Sequence, residues 1–145
     1  MGPLPRRGHG ANRERGDQVW HQDSSGVQGA AEAGDRFGTR LTTGDFDGNG
    51  AADLAIGNPN EAIGSYADAG AVNVLYGSAA GLSLARDQIW IQNDIVVNGD
   101  EHGDQFGSAL VTADFDADGI DDLAIGAADE DLGPIDQAGL LHRGD

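Results

Sequence analysis

A chain of 145 residues can build one sizeable core but not a two-domain enzyme. Its formal charge of −17 opposes approach to nucleic-acid phosphates or anionic headgroups, which argues against a nucleic-acid partner. With no Cys, disulfide scaffolds, thiol nucleophiles and zinc ribbons are excluded, and no apolar run reaches the ~18–20 residues of a membrane span, so no membrane insertion is expected.

Residues 1–16, MGPLPRRGHGANRERG, carry charge without an apolar stretch and are not an intact signal peptide; they are read as an unstructured or out-of-register N-terminal segment. From there the chain is two copies of one unit. GDRFGTRLTTGDFDGNGAADLAIG (34–57) returns without a gap as GDQFGSALVTADFDADGIDDLAIG (103–126), an offset of 69. DQVWHQD (17–23) returns as DQIWIQN (87–93) at an offset of 70. The units are placed at 17–86 and 87–145, the second truncated and out of register after Gly139. Short apolar stretches closed by Gly, Asp, Asn or Ser predict strands near 40–44, 53–57, 70–76 and 87–92, then 109–113, 122–126 and 137–141. No segment sustains a helical period. The fold class is all-β: two four-stranded antiparallel blades of a β-propeller, the second incomplete.

Between the first two strands of each unit lies an acidic nonapeptide, DFDGNGAAD (45–53) and DFDADGIDD (114–122). Positions 1, 3, 5 and 9 offer side-chain oxygens: Asp45, Asp47, Asn49 and Asp53 in the first loop, Asp114, Asp116, Asp118 and Asp122 in the second. Position 7, Ala51 or Ile120, would offer a backbone carbonyl, and the Gly at position 6 permits a sharp turn. An all-oxygen set without His or Cys suits calcium, one ion per loop, better than zinc or magnesium. Carboxylates held 4–5 Å apart without a cation repel by about 1–4 kcal/mol per pair. The second loop has four formal charges against three, which predicts tighter binding there. The competing reading makes the loops ion-free Asx turns. An EF-hand is excluded, because its position-12 acid would fall on Ile56 or Ile125, within strand sequences.

Phe37-Gly38 and Phe106-Gly107, each followed by the acidic loop and by AIGNP (55–59) or AIGAA (124–128), resemble FG-GAP repeats, the blades of integrin alpha-chain propellers and of many bacterial surface proteins. The second copy lacks the Pro. The resemblance covers roughly residues 17–139 and implies a calcium-binding module with a structural, adhesion-like recognition role, in an extracellular or cell-surface protein. It leaves open a non-catalytic propeller of a secreted hydrolase, or a lectin-like glycan binder with Tyr66 and Trp90 as stacking candidates.

Catalysis finds no constellation here: the four His lie in unlike contexts and no Ser sits in a nucleophile elbow. Trp20 and Trp90 occupy equivalent places and are assigned to packing, as are Phe37, Phe46, Phe106 and Phe115. The triplets Arg15-Gly16-Asp17 and Arg143-Gly144-Asp145 lie in the parts of the chain that have lost repeat register and are assigned no recognition role. Five of eight Arg fall in the two ends, which predicts a fragment of a larger propeller protein, its ends set by truncation or frame change. Two blades leave open faces, so further blades of a parent chain or self-association are expected, three or four copies supplying six or eight blades.

Overall fold

A computed structural model describes residues 18–24, 31–92, 102–129 and 140–144. Seven antiparallel strands and no α-helix occur among them. The first sheet has the order β1 (Arg40–Gly44), β2 (Asp53–Asn58), β3 (Ala71–Ser78), β4 (Gly81–Trp90), and the second β5 (Phe106–Ala113), β6 (Asp122–Ala127), β7 (Leu140–Gly144). Each strand pairs with its sequence neighbour, the meander of a propeller blade. DLAIGN and AVNVLYGS are rich in apolar and β-branched residues and lie almost wholly buried, because both faces of β2 and β3 are covered.

Three strand boundaries differ from the sequence expectation. β4 begins at Gly81 rather than near 87, because Ser78 and Gly81 close a two-residue turn: the Ser78 hydroxyl accepts from Ala80 N–H at 3.2 Å and donates to Gly81 C=O at 2.9 Å. The Gln18 side chain then covers the β4 edge, donating to Leu82 C=O at 3.0 Å and accepting from its N–H at 2.9 Å. β5 begins at Phe106, three residues early, across a register shift. β7 forms at 140–144 where the repeat register is lost, since ladder bonds to β6 need only backbone. Arg143 and Gly144 lie in β7, while Asp145 and the 15–17 triplet fall outside the described residues.

One core spans both sheets. Ala55, Val72 and Val74 of the first blade are buried with Phe106, Leu123, Ile125 and Ala127 of the second, flanked by Phe46, Tyr76, Trp90 and Leu110. Backbone bonds seal the boundary: Gly103, Gln105 and Phe106 N–H donate to the carbonyls of Ala67, Asp68 and Ala69, each at 2.9 Å. Arg40 Nε donates to Ser108 C=O at 2.8 Å, and the Thr42 and Thr112 hydroxyls lie 3.0 Å apart. The Phe-Gly pair makes this approach possible. Phe106 fills the core, while Gly107 adopts φ +90° with space for no more than hydrogen, a Cβ there falling 2.9 Å from Ala71 O.

Repeat-equivalent residues meet different surroundings, which locates the interface between the two blades among the described residues. Phe37 is half-buried where Phe106 is fully buried, and Leu41 is 60% exposed where Leu110 packs on the core. A Cβ at Gly38 would touch nothing within 4 Å. Phe46 packs on the core, but Phe115 is 49% exposed, so its assignment as a core residue is corrected. Trp90 packs against the core and Trp20 is half-buried, its indole N–H buried and without a hydrogen-bond partner among the described residues.

Candidate metal centres

The two acidic loops are held alike, by their strands and by their own side chains. In the first, Asp45 carboxylate oxygens accept from Asn49 N–H at 3.1 Å and Gly50 N–H at 2.8 Å. In the second, Asp114 accepts from Asp118 N–H at 3.0 Å and Gly119 N–H at 2.8 Å. Asp47 and Asp116 each add a 3.2 Å bond to the same position-5 N–H. Gly50 at +86° and Gly119 at +90° take the left-handed backbone that turns the chain inward. Asp53 and Asp122, the first residues of β2 and β6, are buried and reach back to Phe46 N–H at 2.7 Å and Phe115 N–H at 2.9 Å. The other Asp53 oxygen accepts from Gly77 N–H at 2.7 Å, fixing the loop to β3.

This wrapping brings one carboxylate oxygen each from Asp45, Asp47 and Asp53 within 4.8 Å of one another, and likewise from Asp114, Asp116 and Asp122. Oxygens sharing one calcium lie at most twice the 2.3–2.6 Å bond length apart, about 5 Å, so both sets fit that ion. Position 5 behaves otherwise. Asn49 Oδ1 accepts from Ala51 N–H at 2.9 Å while its amide donates to Gly77 C=O at 3.0 Å. Asp118 Oδ1 accepts from Ile120 N–H at 2.8 Å, and Asp118 is not in the second convergent set. Each convergent set therefore holds three carboxylates, with Asp118 standing outside the second as the loop's fourth charge. At position 7, Ala51 and Ile120 carry those position-5 bonds; Ile120 is 38% exposed. The would-be EF-hand position 12, Ile56 and Ile125, is buried in β2 and β6.

A second repeated polar group escaped the sequence reading. Gln22, Asp35 and Glu61 are buried together: Gln22 Nε2 donates to Glu61 Oε2, and Asp35 accepts from Glu32 N–H at 2.6 Å. Their repeat equivalents are Gln92, Asp104 and Glu130, of which Gln92 and Asp104 are also buried. The signal was present, two identical residues at offset 69 and one at 70, but masked by the many exposed acids. Burial raises the Glu61 carboxyl from 4.5 to about 7; the Gln22 bond lowers it, and Asp35 and Glu32 raise it further. Between those values the folded chain holds a proton that the unfolded chain has released, so this contribution to stability is complete below about pH 4.5 and falls as pH rises to about 7. Chelator-treated wild type is expected to lose urea stability across that window, and Glu61→Gln, which keeps a donor toward Asp35 and an acceptor toward Gln22, to flatten the slope. An unchanged slope in the variant would assign it to other groups.

Sequence comparison places the chain in a family. The FG-GAP repeat profile matches residues 37–75 and 106–142, and the chain belongs to the FG-GAP repeat family. It is 33% identical over 92 residues to human phosphatidylinositol-glycan-specific phospholipase D, covering 63% of this chain and 11% of the relative. The mouse phospholipase matches at 30% over 107 residues, 74% of this chain and 12% of the relative. Integrin alpha-PS2 of Drosophila melanogaster matches at 35% over 92 residues, 63% of this chain and 5% of the relative. The chain thus spans about an eighth or less of these relatives, and what it shares with the enzyme is its repeat region. Among the described residues no helix is long and apolar enough to cross a membrane.

Proposed function

We propose that this chain is a calcium-stabilised pair of propeller blades serving protein recognition, adhesion-like, in an extracellular or cell-surface protein. The convergence of three carboxylate oxygens within 4.8 Å, made twice by the same nonapeptide, carries the reading. Asp45, Asp47 and Asp53 would hold one ion, and Asp114, Asp116 and Asp122 the other. The carbonyls of Ala51 and Ile120, the side chains of Asn49 and Asp118, and water are left to complete the 6–8 oxygens calcium takes. When bound, the ion supplies positive charge that cancels the mutual repulsion of the carboxylates. The loop joining the first two strands of each blade then stays closed. By mass action each site adds about 2.7 kcal/mol to stability when free ion exceeds Kd a hundredfold. Millimolar extracellular calcium would fill loops with Kd near 10⁻⁴–10⁻³ M.

Calorimetric titration of the wild type is expected to show two calcium sites, and Asp116→Ala to lose one of them. Absence of heat in the wild type, or unchanged heats in the variant, would leave the loops as ion-free turns. The exposed edge around Gly38 and Leu41 belongs to the counterpart of the face the second blade uses for docking, and a further blade, from a longer chain or from another copy, would cover it. A second reading comes from the phospholipase relatives: the blades are the non-catalytic propeller of a hydrolase whose catalytic domain lies outside these 145 residues. It requires a hydrolase domain in the full-length gene product, and a full-length sequence without one removes it.

A further inference from the structure

Asp121, at position 8 of the second loop, has no acidic counterpart in the first, where Ala52 stands. It belongs to neither convergent carboxylate set. It reaches instead across the blade boundary. Its Oδ2 accepts from Asp45 N–H at 2.8 Å, and its own N–H donates to Asp45 C=O at 3.1 Å. These two bonds run in opposite directions and fix both sides of the first ligand-bearing residue of the first loop. The backbone beside it is pressed close: a Cβ on Gly44 would lie 3.1 Å from Asp121 Cβ and Oδ2. Next along the second loop, Ile120 lies over Gly48, where a Cβ would stand 3.3 Å from its Cδ1 and Cγ1. The first loop is thus docked along the second, with Asp121 as the clasp.

Charge gives the clasp its consequence. The first loop has neutral Asn49 where the second has Asp118, and the Asp121 carboxylate brings one negative charge to its edge from the neighbouring blade. Beside a bound cation that charge attracts; beside the bare carboxylates it repels. Both effects favour the loaded loop. We propose that Asp121 is a positioning residue for the first cation site, supplied from the second blade of the same chain, so that cation affinity at Asp45, Asp47 and Asp53 depends on blade docking. This inference rests on the calcium reading of the loops.

The test is calcium calorimetry in two backgrounds. In Asp116→Ala, where the first site alone remains, adding Asp121→Ala is expected to raise Kd about tenfold, the low end for partners that orient a ligand. Asp121→Asn, which keeps the shape and the acceptor but not the charge, is expected to raise Kd by less, and its effect to shrink as salt is added. In Asp47→Ala, where the second site alone remains, both substitutions remove the same charge from beside Asp122 but no bond to a ligand-bearing residue, so both should raise Kd alike and by about threefold or less. A first-site Kd unmoved in both variants, with native far-UV circular dichroism, overturns the role of Asp121. An equal loss at both sites also overturns it, as general destabilisation. If the wild type binds no calcium, the calcium reading fails and takes this inference with it; if it binds two ions and the Asp121 variants match it, Asp121 alone is misassigned.

Discussion

Phe106→Ala is expected to cost about 3–5 kcal/mol, and Phe37→Ala, its repeat equivalent, less than half of that. The two residues share the same Phe-Gly context, so intrinsic strand preference and turn chemistry cancel in the comparison. What differs is the neighbour. Phe106 is fully buried among Ala55, Val72 and Val74 of one blade and Leu123, Ile125 and Ala127 of the other, while Phe37 is half-buried on the face whose edge residue Leu41 is exposed. Truncation at 106 leaves a cavity at the blade boundary, lined by residues that the ladders of β2, β3 and β6 hold in place and that can collapse only partly. With a whole domain worth about 5–15 kcal/mol, such a loss should populate unfolded chain without denaturant or nearly so. Urea midpoints at constant m measure the difference. Equal costs for the two substitutions would mean that the blades do not dock in solution as described.

Asp53→Ala should destabilise the metal-free chain by about 2–5 kcal/mol, whereas Asp47→Ala should leave it unchanged or slightly more stable, since it relieves carboxylate repulsion at the cost of one weak bond. Both are members of the first carboxylate set, yet they stand in different surroundings. Asp53 is 1% exposed, and its two oxygens each accept a backbone N–H at 2.7 Å, from Phe46 and Gly77. Its removal leaves both donors buried without an acceptor, at about 1–3 kcal/mol each. Asp47 is half-buried and accepts from Asn49 N–H at 3.2 Å, a bond that water can replace. Thermal melts with chelator read the structural part, and melts with calcium read the cation part. Asp47→Ala is expected to abolish the calcium-dependent rise in Tm of the first site while leaving the chelated Tm nearly unchanged. Similar chelated melts for the two variants would show that Asp53 does not clamp the loop.

The division between what could be read early and what could not follows the range of the interactions. The 69-residue repeat, the strand-bounded nonapeptides and the Phe-Gly pairs are local patterns, and local backbone preference plus alternation of apolar residues suffices to place β1, β2, β3 and β6 to within a residue or two. The start of β4 at Gly81 was hidden because a Ser-Ala-Ala-Gly turn has no preference strong enough to separate it from a loop. The repeat also made equivalent residues look interchangeable. Phe46 with Phe115, Leu41 with Leu110 and Phe37 with Phe106 are alike in sequence, and their different burial comes from which of them faces the other blade.

The acidic loops divide in the same way. Their spacing by itself set the alternation of oxygens and the glycine turns, since these depend on residues within nine positions of one another. Only the tertiary structure decided that Asp53 is clamped by Gly77, that Asp118 turns to its own backbone, that Gln22 meets Glu61 and that Asp121 crosses to Asp45. Each of these except the Asp118 turn joins residues 24 or more positions apart, and such pairs exist because burial in a shared core brings their strands together, at an entropic cost that no local pattern records.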